Sequence, residues 1–254
     1  MKLTRPPASD VHRSAFTLTE LLVVIAMMVL LASLLLPALG GSKASAKSIQ
    51  CASNLRQMGI AAHIYVDDSA DFYPIAQYDI VEGSVAFLYA WDFTTIASNP
   101  NVVIPGLLWQ GRTILQIQQC PSFNGDANWL TDPYTGYNYN TSYIGHGQGE
   151  SIPEPAKGSD VMHAGKTVLF GDGQYSGGAD KFMRAPWPNP GDAGFVGRWS
   201  GTQGFRHQNL SNAAFCDGHA ESLRKCYTTN ADGSNYVAPG TGFLSPDNSM
   251  YDLR

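Results

Sequence analysis

The sequence contains a run of 22 residues, from Leu21 to Ser42, that carries no charged side chain. As an α-helix, a run of this length spans about 33 Å, roughly the thickness of the hydrocarbon core of a bilayer. Three basic residues, Lys2, Arg5 and Arg13, precede the run, against two, Lys43 and Lys47, that follow it closely. Because basic residues are enriched on the cytoplasmic side of membrane helices, the segment before the run is expected to stay in the cytoplasm. The sequence therefore predicts a membrane helix near its N-terminus.

Three interpretations of this N-terminus compete. A secretory signal peptide has a shorter apolar region followed by a small-residue cleavage site, and the segment Pro37-Ala38-Leu39-Gly40-Gly41 is a poor site of that kind. A plain signal anchor explains the length of the run. It does not explain Glu20 at the entrance of the run, where an ionisable group is costly and indicates a function.

The third interpretation depends on residues 15–26, Ala15-Phe16-Thr17-Leu18-Thr19-Glu20-Leu21-Leu22-Val23-Val24-Ile25-Ala26. This segment resembles the cleavage and methylation motif of type IV pilins and of the pseudopilins of type II secretion. The resemblance implies cleavage by prepilin peptidase between Ala15 and Phe16 and N-methylation of Phe16. It also implies a role in assembly for Glu20 and a helix kink at Pro37. Ala15 departs from the family pattern, in which glycine usually precedes the cut.

The helical pattern continues beyond the apolar run as an amphipathic helix. Apolar side chains recur in steps of four and three residues, which places them on one helical face: Cys51, Leu55, Met58, Ala62 and Tyr65. Polar side chains fall on the other faces: Gln50, Asn54, Gln57 and His63. We expect one helix over about 16–66.

Glycine and tyrosine are plentiful after this helix, and long helical patterns are scarce, which is typical of turns and short antiparallel strands. Short strands are predicted at 102–109, 113–118, 137–144, 167–170, 212–215 and 219–223. The expected fold is α+β, with a long N-terminal helix, transmembrane and then amphipathic, packed on an antiparallel β-sheet with long loops. The expected segments are a cytoplasmic leader (1–15), a transmembrane and assembly helix (16–42), its amphipathic continuation (43–66) and an exported globular β-rich domain (67–254).

A second motif lies at 207–218, where His207 is followed by nine residues and then by Asp217-Gly218. Together with the segments 51–59 and 120–122, it resembles a bacterial subfamily of pilin-like proteins that carries an H-X9-DG element. Asp217-Gly218 fits a two-residue hairpin turn, because glycine tolerates the positive φ that such turns need. We expect His207 and Asp217 to be structural, with the spacing suited to a hydrogen-bonded brace.

No metal site or cofactor is expected. His207, His219, Asp172 and Asp217 are plausible ligand types, but their spacing is not diagnostic. The alternative is a calcium site in the C-terminal loop, as in some major pseudopilins, with oxygens from a loop of short polar side chains: Ser245, Asp247, Asn248 and Asp252. No nucleophile elbow, zinc-protease motif or phosphate-binding loop is present, so we expect no catalytic residues and no enzyme activity.

Four cysteines lie beyond the apolar run: Cys51, Cys120, Cys216 and Cys226. An exported domain reaches an oxidising compartment, where disulfides persist, and the absence of C-x-x-C argues against zinc and redox motifs. A disulfide between Cys51 and Cys120 would connect helix to sheet and contribute about 2–4 kcal/mol. The alternative is that one or more of these cysteines are simply small buried residues.

The sequence as a whole favours a structural subunit of a type IV pilus-like or type II secretion pseudopilus filament. Its expected partners are prepilin peptidase, other pilin or pseudopilin subunits and the inner membrane, which it crosses once with its C-terminal domain outside the cytoplasm. After assembly it would reside in a periplasmic or cell-surface filament. The net charge of −5 argues against nucleic acid, which needs a basic face. The alternative is a membrane-anchored binding protein that recognises a ligand such as surface glycan through Tyr- and Trp-rich loops.

The first prediction concerns processing at the N-terminus. The mature chain is expected to start at Phe16, and Ala15→Asp is expected to leave the precursor uncleaved, because a charged side chain replaces a small one at the cut. Mass spectrometry of the N-terminus in cells with active prepilin peptidase measures both. A leader retained on the wild-type protein at steady state would contradict this prediction.

Overall fold

The computed structural model describes residues 17–254 except 99, 111–118, 126–134, 149, 177, 179 and 193–195. The predicted cleavage site and the strand predicted at 113–118 therefore lie outside the described residues. The chain divides into two compact units, Met1–Lys43 and Ala44–Arg254. The division falls inside the one long helix, α1, which runs over Leu18–Asp68.

Helix α1 has two parts with opposite environments. From Leu18 to Lys43 every side chain is exposed, whereas the later part buries one face. Pro37 lies inside the helix. Because proline has no N–H, one backbone hydrogen bond of the helix is absent at this point, and the kink there stays a prediction. The predicted extent of the helix, 16–66, agrees with α1 within two residues at each end.

The described part of the chain contains eleven strands, most of them short: β1 (Gln77–Glu82), β2 (Val85–Ala90), β3 (Phe93–Ile96), β4 (Val102–Pro105), β5 (Asn138–Asn140), β6 (Val168–Gly171), β7 (Phe182–Met183), β8 (Gln203–Gly204), β9 (Ser211–Phe215), β10 (Ala220–Leu223) and β11 (Thr241–Gly242).

These strands form three sheets. The first is an antiparallel meander in the order β1-β2-β3-β4, and the second has the order β10-β9-β6-β5-β7. Strands β8 and β11 form a separate antiparallel pair. All pairs in the second sheet are antiparallel except β5 with β7, which is parallel. The predicted α+β fold, a long helix packed on largely antiparallel β-sheet, is confirmed, and the second sheet adds one parallel pair.

Two strand predictions were too long, each for a local reason. Strand β4 ends at Pro105, which has no N–H to donate to a neighbouring strand, and a 3-10 turn over Leu107–Trp109 follows. Strand β5 ends at Asn140, whose side chain accepts a hydrogen bond from the backbone N–H of Tyr143 and caps a π-helical turn over Thr141–Gly145. Apolar residues continue past both points, so the pattern alone did not reveal the ends.

The core of the second unit forms where α1 meets the second sheet. The buried residues of α1 are Cys51, Asn54, Leu55, Met58, Gly59, Ala62 and Val66. All of these except Asn54 and Gly59 belong to one hydrophobic cluster with Trp91, Tyr139 and Phe170. The ring centroids of these three aromatic residues lie 5.1–5.6 Å apart. The predicted face is confirmed apart from two positions. Tyr65 is only partly buried, and Asn54, expected on a polar face, is buried.

Asn54 can be buried because both of its donors find acceptors. Its side-chain amide donates to the carbonyl of Gln119 and to the hydroxyl of Tyr137, each at 3.2 Å. A buried amide without such partners would lower the stability of the fold by about 1–3 kcal/mol. These acceptors come from a distant segment, so periodicity along the helix could not identify them.

The second prediction tests the packed face of α1. Leu55→Ala is expected to lower the free energy of unfolding by about 2–5 kcal/mol, because it leaves a cavity in a fully buried site. The control is Ile60→Ala on the same helix, where 49% of the side chain is exposed and a change within about 0.5 kcal/mol is expected. Urea unfolding of the detergent-solubilised chain, followed by tryptophan fluorescence, measures both. Equal losses in the two variants would show that Leu55 is not part of a packed core.

Candidate functional site

The first candidate site is the start of α1. Glu20 Oε2 accepts hydrogen bonds from the backbone N–H of Thr17 at 2.8 Å and from the Thr17 hydroxyl at 2.7 Å. In return, the Thr17 hydroxyl oxygen accepts from the backbone N–H of Glu20 at 3.2 Å. This reciprocal arrangement is a capping box, which satisfies N–H groups that the helix itself leaves unpaired. Glu20 therefore caps the helix within one chain, a role that the resemblance to pilins did not indicate.

The surface that follows Glu20 is apolar on every side of the helix. The large apolar side chains between Leu18 and Leu39 are 40–80% exposed. α1 is long and apolar enough to cross a membrane, and its most apolar window has no buried residue. A helix that is apolar all round is normally buried in a membrane or a protein core. By length and composition this segment can be a membrane anchor or a signal sequence.

The second candidate site is buried where α1 meets the sheet. Four side chains have one potential ligand atom each, and these atoms all lie within 4.8 Å of one another: Cys51, Cys120, Asp172 and His207. We refer to these four residues as the thiol cluster. Cys51 lies on α1, Asp172 directly follows β6, and His207 lies between β8 and β9. All four are buried.

Asp172 makes the most contacts in the thiol cluster. Its Oδ1 accepts from the Cys51 thiol at 3.0 Å and from Arg206 Nη2 at 2.9 Å. Its Oδ2 accepts from the backbone N–H of Asn212 at 2.7 Å and lies 3.3 Å from His207 Nε2. A buried carboxylate needs such compensation, since its unpaired burial would be very costly.

Arg206 lies beside the thiol cluster and contacts two of its members. In addition to Asp172, it donates from Nε to Cys120 Sγ at 3.3 Å, and its Nη2 donates to the carbonyl of Gly136. Cys120 Sγ also lies 3.4 Å from His207 Nε2. No sequence pattern pointed to Arg206, although it directly precedes the histidine of the H-X9-DG element.

The surroundings of the two cysteines in the thiol cluster shift their pKa values in opposite directions. Burial raises the pKa of Cys51 well above its usual range. Burial also opposes ionisation of Cys120, but hydrogen bonds from Cys51 and His207 and the charge of Arg206 outweigh it and lower the pKa of Cys120 to about 5. The surroundings therefore favour the thiolate form of Cys120 and the thiol form of Cys51.

The two remaining ionisable groups are charged as well. Burial lowers the pKa of His207, but its contacts with Asp172 and Cys120 prevail and raise it to about 9. Burial raises the pKa of Asp172, but Arg206 and His207 prevail and hold it below its usual value. The carboxylate of Asp172 and the favoured thiolate of Cys120 thus face two basic groups, His207 and Arg206, and these opposite charges compensate one another.

The predicted disulfide between Cys51 and Cys120 is not present: both are free thiols, as are Cys216 and Cys226. The prediction was right about proximity, since the two sulfur atoms lie within 4.8 Å. It was wrong about the bond, because each sulfur is engaged in polar contacts, Cys51 with Asp172 and Cys120 with Arg206 and His207. Cys216 is buried and Cys226 is exposed.

The thiol cluster does not have the geometry of a Cys-His-Asp catalytic relay. In such a relay one imidazole nitrogen faces the nucleophile and the other faces the carboxylate. Here Nε2 of His207 faces both Cys120 and Asp172, and Nδ1 is buried with no hydrogen-bond partner among the described residues.

The two ends of the H-X9-DG element contact different partners, so the expected brace between His207 and Asp217 is wrong. Asp217 Oδ1 accepts from the backbone N–H of His219 at 3.0 Å and pairs with its imidazole at 2.5 Å. A tight hairpin turn with Gly218 at φ +88° is present, but its loop holds three residues, Cys216, Asp217 and Gly218, instead of the two predicted. The N–H of Phe215 donates to the carbonyl of His219, and the N–H of Gly218 donates to the carbonyl of Phe215.

Both ends of this element nevertheless contact α1. His207 meets Cys51 in the thiol cluster. Gly218 lies against Gly59, where an added methyl group would be 3.6 Å from the Gly218 Cα atom. Cys51 and Gly59 are eight positions apart, about 12 Å along the helix. The element thus holds α1 at two points, which local spacing did not predict.

The four residues that the sequence analysis considered as possible metal ligands form two separate pairs, Asp172 with His207 and Asp217 with His219. In the C-terminal loop, Asp247 Oδ1 accepts from the backbone N–H of Ser249 at 3.0 Å. Among the described residues, the loop carboxylates form no group of three or more potential ligands. The possible calcium site therefore has no such group to support it.

A polar cleft of about 240 Å³ lies between β1, β7 and the loop after β5. Two of its charged lining residues pair with each other, Arg184 with Glu150 at 2.7 Å. Arg184 also lies 3.6 Å from Asp192, which pairs with Arg198 at 2.7 Å. His146 lies 3.4 Å from Glu150. This network connects the loops around the cleft.

The tryptophans have different environments. Trp91 and Trp109 are core residues, while Trp187 is 39% exposed and Trp199 is half-buried. Trp129 lies outside the described residues. Trp199 stacks on Tyr236 with ring centroids 6.5 Å apart, and Tyr175 lies 6.0 Å from Trp199 on another side.

Comparison with known proteins gives no relatives: no protein family, no curated protein and no solved structure matches this chain. Any inference about its function therefore depends on its own residues and geometry.

The third prediction compares two aspartates. Asp172→Asn is expected to destabilise the fold by about 3–5 kcal/mol, because it leaves buried cations without their counter-charge. Asp217→Asn is the matched control, since its pair with His219 is 42% exposed at each side chain and a loss below about 1 kcal/mol is expected. Urea unfolding measures the difference. A larger loss of unfolding free energy from Asp217→Asn would show that the turn of the H-X9-DG element stabilises the fold more than the thiol cluster does.

Proposed function

We propose that this chain is a structural subunit of a type IV pilus-like or type II secretion pseudopilus filament. In this proposal prepilin peptidase cuts between Ala15 and Phe16 and methylates Phe16. The subunit then waits in the inner membrane as a single-pass protein, with its globular unit outside the cytoplasm, before it joins other subunits. The observation that carries the proposal is the helix α1. Its N-terminal part is apolar and exposed, and its C-terminal part is packed in a protein core.

The uncovered part of α1 needs an apolar environment. Soluble monomers rarely expose contiguous apolar patches beyond a few hundred Å², and this helix is apolar around its whole circumference from Leu21 to Leu39. A bilayer covers such a helix while the subunit is stored. In a filament, the same surface on neighbouring subunits covers it. A soluble enzyme or a secreted binding module would need neither environment, so we infer a structural role over a catalytic one.

Glu20 gives this helix a polar group at one end. Its capping bonds with Thr17 leave the carboxylate exposed in the single chain. At the membrane interface that charge costs little, but in the dry centre of a filament it needs a cation. Cleavage would create one, the amino group of Phe16, four residues before Glu20. Pairing between neighbouring subunits would then fix their axial register.

The second candidate is a membrane-anchored binding protein that recognises a ligand such as surface glycan. The observation in its favour is the aromatic group of Tyr175, Trp199 and Tyr236, in which Tyr236 is 62% exposed. Sugars commonly bind on exposed aromatic faces. This candidate also uses the anchor, but gives Glu20 no role beyond capping.

The fourth prediction separates the charge of Glu20 from its capping role. Glu20→Gln keeps an acceptor for the capping box but removes the charge, and Thr17→Val removes the hydroxyl of the capping box but keeps the charge. Glu20→Ala removes both. We expect Glu20→Gln and Glu20→Ala to be inserted, cleaved and stable but poorly assembled, with filament yield reduced at least tenfold. Thr17→Val is expected to assemble nearly normally.

The measurement is filament yield in sheared or crosslinked fractions, alongside membrane levels of the processed subunit. Normal filaments from both Glu20 variants would defeat the proposal and favour the anchored binding protein. Normal filaments from Glu20→Gln together with failure of Thr17→Val would show that the capping box matters instead of the charge.

A further inference from the structure

The thiol cluster brings together four metal-ligand side chains from four separate parts of the second unit. Cys51 comes from α1, Cys120 from the segment 119–125, Asp172 from the end of β6 and His207 from the loop before β9. Among the described residues, this is the one group of three or more histidine, cysteine, aspartate or glutamate side chains that is close enough to hold an ion.

We propose that the thiol cluster is a structural Zn²⁺ site with Cys51, Cys120, Asp172 and His207 as its ligands. Zn²⁺ is held in proteins by cysteine sulfur, histidine nitrogen and carboxylate oxygen, and its structural sites have four protein ligands in a closed tetrahedron. Two thiolates and an imidazole select zinc over magnesium and calcium, which take oxygen ligands. This site is separate from the start of α1, so it does not depend on filament assembly.

The distances fit this ion with small adjustments. Zinc–ligand bonds of about 2.0–2.3 Å place the ligand atoms of a tetrahedron about 3.3–3.8 Å apart. Cys120 Sγ lies 3.4 Å from His207 Nε2, and His207 Nε2 lies 3.3 Å from Asp172 Oδ2. Cys51 Sγ lies 3.0 Å from Asp172 Oδ1. Every ligand pair lies within 4.8 Å, so side-chain movements of about 1 Å bring the four atoms to tetrahedral separations.

Groups around the proposed site balance its charge and hydrogen-bond its ligands. Two thiolates and a carboxylate supply three negative charges, which one Zn²⁺ and the guanidinium of Arg206 balance. Arg206 donates to Cys120 Sγ and to Asp172, and the backbone N–H of Asn212 donates to Asp172 Oδ2. Hydrogen bonds of this kind from outside the ligand set orient ligands and are a regular part of zinc sites.

The site has a mechanical consequence for the helix. Cys51 is the first fully buried residue of α1, next to its exposed part. Zinc bound there would connect α1 to the end of β6 and to two loops of the globular unit, close to where the exposed part of the helix begins. The ion would also keep both thiols from oxidation outside the cytoplasm.

The fifth prediction is tested on the full chain, purified from membranes in detergent with a reductant present. We expect about one zinc per chain by plasma mass spectrometry, and loss of melting temperature when a chelator removes it. Cys51→Ser and Cys120→Ser are expected to lose at least ten-fold in zinc content. The matched control is Cys226→Ser, because Cys226 is exposed and outside the cluster, and it should keep its zinc.

Replacement of zinc by Co²⁺ in the wild-type chain gives a readout that does not depend on the variants folding. Tetrahedral cobalt with thiolate ligands has intense visible bands and a sulfur-to-cobalt band in the near ultraviolet. We expect both, and we expect the sulfur band to weaken in Cys120→Ser. Zinc content equal to wild type in both cysteine variants would overturn the proposal. So would a wild-type chain without zinc or cobalt binding in which non-reducing peptide mapping finds Cys51 joined to Cys120.

Discussion

The buried carboxylate of Asp172 is the group on which the arrangement of the globular unit depends. Removed from water, it needs donors, and it collects them from the thiol of Cys51, the guanidinium of Arg206, the imidazole of His207 and the backbone of Asn212. The donors belong to three separate parts of the chain, because Arg206 and His207 are neighbours in the loop after β8. Satisfying one carboxylate therefore fixes α1, the end of β6, the loop after β8 and strand β9 relative to one another.

The same helix meets two environments, and the residue pattern changes with them. In the first part apolar residues occupy every face, as lipid or neighbouring subunits require. From Cys51 onwards they occupy one face, which packs on aromatic rings, and small residues allow close approach, as at Gly59 beneath the Gly218 turn. The two ends of the H-X9-DG element contact this second part, at Cys51 and at Gly59. In the proposed function, the second part of α1 must stay packed in the globular unit while the first part moves from the membrane into a filament.

Some features were predictable because their physical causes lie within a few residues. The helix follows from its periodicity, and the Asp217-Gly218 turn from the tolerance of glycine for positive φ. The hairpin of β1 and β2 was missed, because its sequence around Asp79 and Glu82 mixes charged and apolar residues on an exposed pair of strands. Asn54 was placed on the wrong face because its partners, Gln119 and Tyr137, are distant in sequence.

The sequence by itself determined the long helix, its apolar first part with Glu20 at the entrance, and the α+β character of the chain beyond it. These depend on composition and on spacing between near neighbours, which the order of residues states directly. Only the tertiary structure decided that four distant side chains come together: Cys51, Cys120, Asp172 and His207. It also decided that Arg206 balances their charge and that the two ends of the H-X9-DG element contact different partners. Such contacts join segments up to 156 positions apart, and no local pattern records them, because they arise only when the chain has folded and buried charges have found their partners.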